Sequence, residues 1–213
     1  MKEEFDFGGK SNMKEELINK IIQAEWEMFQ NTTNVGGRAW CQDDQRQFIG
    51  NRRAQFENWD ERTLQLYFKD LQEAEEKNEN LVALKYAYMM ETTSPDEYLL
   101  LKDRLPEIDA EKRKLIDCMA EMTAFWCEQF AAVYPNLARR GRPPRSASDA
   151  VGVTSAQTYC RGELSTYSLE TLKSLFAVYQ RCEEEQVNLF EKSVENEMRF
   201  LIGKSLEEVE KTL

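Results

Sequence analysis

The sequence predicts an all-α protein. Three observations carry that prediction. Apolar residues recur every three or four positions along most of the chain, which is the period of a helical stripe. Ser, Asp, Asn and Pro stand just ahead of several stripes, where helices start. No stretch alternates apolar and polar residues long enough to make a strand, and no internal repeat is present.

The elements follow in order. From Met13 the stripe Leu17, Ile18, Ile21, Ile22, Trp26, Phe29 predicts a first helix, with Glu25 and Glu27 expected to face water. It stops in Asn31–Gly37, which is turn chemistry. A second helix is expected from about Cys41, with Asp43 and Asp44 in a first turn that favours negative charge and Phe48, Arg52, Gln55, Phe56 and Trp59 following on compatible spacing. Asp60 caps a third helix through Leu64, Tyr67, Phe68, Leu71 and Ala74, and a fourth begins near Asn80 with Leu81, Leu84, Tyr88 and Met89. Ser94-Pro95 opens a short helix that ends before Pro106, and Asp109 opens the longest, which Tyr134-Pro135 closes. Ser168 restarts a register that runs through Leu172, Tyr179, Val194 and Leu201 to a stop at Gly203, and Ser205–Glu208 reads as a capping box. The sum is one helical domain over 13–213 with about seven or eight helices. A flexible leader is expected over 1–12, and an irregular Arg-rich insertion over 135–167.

Composition removes whole classes of chemistry. The chain has 213 residues and no histidine, which excludes Ser-His and Cys-His dyads, His-ligated zinc and His acid–base catalysis. Its formal charge is −11, the wrong sign for a nucleic-acid binder. No apolar run approaches the length of a membrane span, and the acidic start lacks the apolar stretch of a secretory signal. The cysteines number five, with no C-x-x-C pair. Reduced thiols and a cytoplasmic location are the expectation. No metal site and no cofactor are marked. Glu183–Glu185 reads as a solvated face.

Two stretches do not fit a plain helical body. The first is 135–167, where Arg139, Arg140, Arg142, Arg145 and Arg161 meet only Asp149 and Glu163, with no lysine. Guanidinium binds carboxylate or phosphate through a planar fork. Three readings stay open there: an anion-binding loop, internal Arg–carboxylate clamps, or a solvated basic loop. The second is Gly36–Asp44. Its glycines lead to an expected helix N-terminus, which favours anions and makes Cys41 a candidate nucleophile, with Asp43 and Asp44 working against a thiolate there. The alternative is a small buried Cys41 packed beside Trp40.

The motifs of both stretches resemble a known family. Glu25–Phe29, Gly36–Ala39, Cys41–Asp44, Gln55-Phe56 and Trp59 are similar to the N-terminal half of domain-of-unknown-function family 4125. Arg140–Pro143, Thr154-Ser155, Thr158-Tyr159 and Arg161–Ser168 are similar to its C-terminal half. The resemblance covers roughly 13–211. It implies no activity, but it pairs the two unusual stretches.

The resulting expectation is a site for a small anionic molecule, framed where the two stretches meet. Candidate ligand contacts are Arg38, Gln42, Arg52, Gln55, Arg140, Arg142, Tyr159, Arg161 and Tyr167. Candidate catalytic groups are Cys41, Asp43, Asp44 and Glu163, since without histidine proton transfer must run through carboxylate, Tyr, Cys or Lys. No nucleic-acid or membrane partner is expected. The alternative is a non-catalytic interaction or regulatory module whose arginines form structural salt bridges.

Overall fold

The computed structural model describes residues 13–33 and 37–213. The expected leader over 1–12, together with Asn34, Val35 and Gly36, lies outside the described residues. Among those described there are eleven α-helices and no strand: α1 Met13–Gln30, α2 Gln45–Phe56, α3 Glu61–Glu76, α4 Leu81–Thr93, α5 Pro95–Tyr98, α6 Ala110–Val133, α7 Pro135–Ala138, α8 Ala156–Leu164, α9 Leu169–Glu184, α10 Leu189–Ile202 and α11 Leu206–Thr212. Short 3₁₀ turns stand at Trp40–Asp43, Lys102–Arg104 and Ser146–Ser148. None of the described helices is long and apolar enough to cross a membrane.

Capping chemistry sets most of the boundaries. The side chains of Asp60, Asn80, Asp109, Ser155, Ser168 and Asn188 each accept a hydrogen bond from the backbone N–H three residues on. Each such cap is worth about 1 kcal/mol. Ser205 and Glu208 form the expected capping box. Gly203 ends α10 in the left-handed conformation, φ +67°, which a residue without Cβ adopts at no steric cost.

Three expectations are corrected. The helix count exceeds seven or eight, partly because the stretch from 168 to 203 is two helices. Gln186 takes φ +55° and the Val187 N–H turns back to the Cys182 carbonyl, which terminates α9, and Asn188 then caps α10. The second helix starts at Gln45 rather than near Cys41, and Asp44 is its N-cap, accepting from the Gln47 N–H. Cys41 lies in the preceding 3₁₀ turn. Finally, 135–167 is not irregular throughout, because 156–164 form α8. That helix buries polar Gln157, Thr158 and Glu163 beside Ala156 and Leu164, so its buried positions are not marked by apolar residues alone.

α8 packs between α4 and α6, α1 lies on α3, and α2 lies on α10. One core cluster draws Ile18, Ile21 and Ile22 of α1, Phe56 of α2, Leu64 and Leu71 of α3, Met119 of α6, Leu164 of α8, and Leu172 and Leu175 of α9. Phe130, Tyr134 and Leu206 form a smaller one. The segment before α8 is tied down: the Ala156 and Gln157 N–H groups donate to the Pro143 and Pro144 carbonyls. Arg145 forks onto Glu128 at 2.7 and 2.8 Å and also binds Glu121. Asp149 accepts from the Ser155 N–H at 2.7 Å and from the Thr92 hydroxyl at 2.7 Å.

The α4–α8 contact depends on a glycine. A Cβ on Gly162 would lie 2.7 Å from Met89 Cγ and 2.9 Å from the Lys85 carbonyl oxygen. Gly162→Ala is therefore expected to lower unfolding free energy by about 1–3 kcal/mol, the usual cost of overpacking, measured by urea titration. A loss under about 0.5 kcal/mol, typical of a surface change, would show that the two helices are not held this close.

Candidate functional site

The site grows from charged residues that occupy core positions of their helices. On α1, Glu25 follows Ile21 by four positions and precedes Phe29 by four. On α2, Arg52 stands midway between Phe48 and Phe56, and on α4, Lys85 stands midway between Leu81 and Met89. Residues four apart share a helix face, so packing the apolar stripe inward carries these charges inward too. Glu163 arrives from α8. All four are buried, with exposures of 3% for Glu25, 6% for Arg52, 7% for Lys85 and 5% for Glu163.

They satisfy one another. Arg52 Nε and Nη2 donate to the two oxygens of Glu25, both at 2.6 Å. The same guanidinium reaches Glu163 at 3.1–3.2 Å and Gln55 Oε1 at 2.8 Å. Gln55 Nε2 donates to Glu163 at 2.8 Å. Lys85 Nζ donates to Glu163 Oε2 and to the Tyr159 hydroxyl, each at 2.6 Å. Tyr67 donates to Glu25 at 2.6 Å, and Tyr167 to Glu163 at 2.8 Å. Two cations balance two carboxylates. Buried charge of this kind persists only when paired and hydrogen-bonded.

The protonation states follow. Burial by itself would raise the Glu163 pKa, but Arg52 and Lys85 outweigh it and hold the carboxyl well below its ordinary range. Burial would lower the Lys85 pKa, yet the Glu163 carboxylate and then Tyr159 reverse the shift, so it stays an ammonium. Burial, followed by the adjacent carboxylates, pushes Tyr67 and Tyr167 well above the ordinary phenol value. Both hydroxyls remain donors.

Above this floor lies a recess of about 300 Å³, within the size range of small-molecule sites. Trp40, Cys41 and Asp44 from the first unusual stretch line it together with Arg142, Tyr159 and Glu163 from the second. Glu25, Asp44 and Glu163 oppose Arg52, Lys85 and Arg142 there, so the lining is charge-balanced rather than cationic. The Tyr159 ring has Lys85 Nζ 3.8 Å and Arg142 Cζ 4.3 Å from its centroid. A second cavity of about 880 Å³ adjoins it, and the two share Asn51, Arg52, Arg142, Tyr159 and Glu163.

The structure divides the expected site residues into groups. Arg52, Gln55, Glu163 and Tyr167 form the buried network, and Arg142 and Tyr159 stand at its opening. Cys41 is half-buried in the wall, while Trp40 beside it is exposed rather than packed in the core. Asp44 lines the recess while capping α2. Arg140 lines the larger cavity only. Arg38, Asp43, Gln42 and Arg161 line neither. Arg38 binds Asp43 at 2.8 Å and the Gln42 carbonyl at 2.9 Å. Buried Gln42 ties the 3₁₀ turn to the end of α1 through the Phe29 and Thr32 carbonyls, at 2.8 and 3.0 Å. Arg161 turns outward to Asp117 at 3.1 Å.

Glu25 was expected in water and is instead a pillar of the network. Tyr67 was expected only as part of the apolar stripe of the third helix, and Lys85 and Tyr86 were not singled out. The available signal was a charge in the apolar register, as with Leu81–Lys85–Met89. Among the described residues no group of three or more Cys, Asp or Glu is placed to hold a metal ion.

A family model described as a protein of unknown function, DUF4125, matches residues 15–211. No curated protein and no solved structure matches the chain.

The network makes two expected outcomes measurable. Arg52→Met leaves two carboxylates buried without their common partner and should cost about 3–5 kcal/mol in denaturant titration. A loss below about 1 kcal/mol would mean that water reaches the carboxylates. Glu163 has a folded pKa below its ordinary 4.5, so its contribution is full above about pH 4.5 and is lost as pH falls toward the folded value. Glu163→Gln should therefore be less stable at neutral pH and should flatten the fall in stability below about pH 4.5. An unchanged acid limb would remove Glu163 from the pH-dependent core.

Proposed function

The chain belongs to the DUF4125 family of proteins of unknown function, and we propose that it binds a small molecule through a carboxylate or phosphate held by Arg142 at the opening of the recess. One observation carries the proposal. Arg145 and Arg161 are paired with acids of neighbouring helices, and Arg52 with Glu25 and Glu163. Arg142 forms no ion pair among the described residues. Its Nη1 donates to the Thr154 carbonyl at 3.1 Å, and its plane lies over Tyr159. That leaves most of a five-donor fork for a ligand while the aromatic ring fixes its orientation.

The chemistry of the surroundings supports binding over turnover. A general base works best when its pKa lies near the working pH, and Glu163 is held far below that. Burial pushes Cys127 and Cys160 up to about 11, away from the reactive thiolate. In this reading Cys41 and Asp44 are wall groups, and the buried network is a rigid, neutral floor. Structural struts are the reading favoured for Arg38, Arg145 and Arg161, whose partners are intramolecular. Arg142, with no ion pair and in the lining of the recess, is the residue that makes it a receptor.

Calorimetry with inorganic phosphate and with acetate or succinate tests this. Arg142→Ala should keep the wild-type fold, since the residue is exposed, and should weaken anion binding by about tenfold to a hundredfold, the span expected for hydrogen bonds to a charged group. Arg142→Lys should recover only part of the affinity, because ammonium lacks the fork. Undiminished binding by Arg142→Ala, or no binding of any of these anions to the wild type, overturns the assignment.

A further inference from the structure

The larger cavity identifies what else the ligand carries. It measures about 880 Å³, near the upper end of ligand sites. Its walls are mainly apolar: Trp59, Trp126, Phe130, Leu137, Phe190 and Val194 face it. Its rim is Arg139–Pro144, where three exposed arginines line the cavity. Arg139, Arg140 and Arg142 form no ion pair among the described residues. That rim is preorganised, because the Pro143 and Pro144 carbonyls are bonded to the start of α8 and Arg145 clamps the next residue onto α6. The carboxylates that face the cavity, Glu163 and Glu197, are already engaged, Glu163 in the network and Glu197 with Gln47 at 2.8 Å. They do not compete for the rim.

We infer that the ligand is an amphipathic acid, with its anionic head on Arg142 and the neighbouring rim arginines and its hydrocarbon body in the larger cavity. This rests on the reading that Arg142 receives the anion. It adds the substrate class. A purely polar anion would leave the apolar space unused, and a purely apolar guest would make no use of the unpaired rim arginines. The two cavities meet at Arg142 and Tyr159, which places head and body on one molecule.

Alkyl carboxylates from butanoate to decanoate, alcohols of matching length and octyl phosphate, all below their micelle concentrations, form the test. Calorimetry gives the affinity, and the fluorescence of Trp59 and Trp126 reports occupancy of the cavity. The dissociation constant should fall about fourfold per added methylene, the factor set by burying a CH₂. The alcohols should bind at least about tenfold more weakly than the acids, from loss of the charge-assisted hydrogen bonds. Octyl phosphate compared with octanoate tells which head the rim prefers. Val194→Phe, which intrudes on the cavity from its wall, should weaken decanoate binding more than butanoate binding. In the wild-type protein, decanoate but not butanoate should change the fluorescence of Trp59 and Trp126, two lining residues, so the assignment does not hang on one variant. Equal affinity for butanoate and decanoate, with no fluorescence change on adding decanoate, overturns the amphipathic ligand and leaves anion binding standing. Alcohols that match the acids, with chain-length dependence kept, overturn the anionic head at Arg142 instead.

Discussion

The Arg52 guanidinium, buried between the carboxylates of Glu25 and Glu163, is the interaction on which the rest of the molecule depends. It joins α1, α2 and α8, and through Glu163 it reaches Lys85 on α4. Each ion alone would be prohibitively costly in the interior, so the helices carrying them have no low-energy arrangement in which one departs. Aromatic rings enclose the cluster. Phe56 lies 4.7 Å beneath the guanidinium, and Tyr67 and Tyr167 pack with centroids 4.5 Å apart while pointing their hydroxyls at the two acids. Hydrocarbon on the outside and full hydrogen bonding within make this a rigid polar core.

That rigidity has a consequence for the recess. Its floor is fully satisfied and electrically neutral, so it offers shape and a fixed field rather than a loose charge. Charge available to a guest sits at the rim, on Arg142 and its neighbours Arg139 and Arg140. The division is physical: arginines within reach of helix-borne acids are consumed by them, as Arg145 is by Glu128 and Arg161 by Asp117. Arg139, Arg140 and Arg142, in the first part of the segment between α7 and α8, form no ion pair among the described residues and stay open.

Much of the fold is legible from local chemistry. Caps at Asp60, Asn80, Asp109, Ser168 and Ser205 and the stop at Gly203 are short-range hydrogen-bonding decisions, and each stands where the residue types put it. α8 was obscured because its buried positions include Gly162, Thr158 and Glu163 as well as Ala156 and Leu164, so burial and apolar residue type do not coincide along it. The α9–α10 break was obscured because a left-handed Gln186 has no distinctive residue type. The site was half legible. Composition marked 139–167 and 36–44 as unusual, and both do line one recess through Trp40, Cys41 and Asp44 on one side and Arg142, Tyr159 and Glu163 on the other. Glu25 and Lys85 were passed over, although each interrupts an apolar stripe at a position where the helix face admits no water.

By itself the sequence determined the helical class, most helix starts, the absence of histidine chemistry and the excess of arginine in one segment, because these depend on residue type and on neighbours within about one turn. Only the tertiary structure decided which arginines are spent on internal acids, that the recess is charge-balanced rather than cationic, and that an apolar cavity adjoins it. Those outcomes depend on distances between residues far apart in the chain, by 111 positions for Arg52 and Glu163 and 121 for Asp60 and Arg181, and no local pattern encodes which opposite charge the packing will bring within reach.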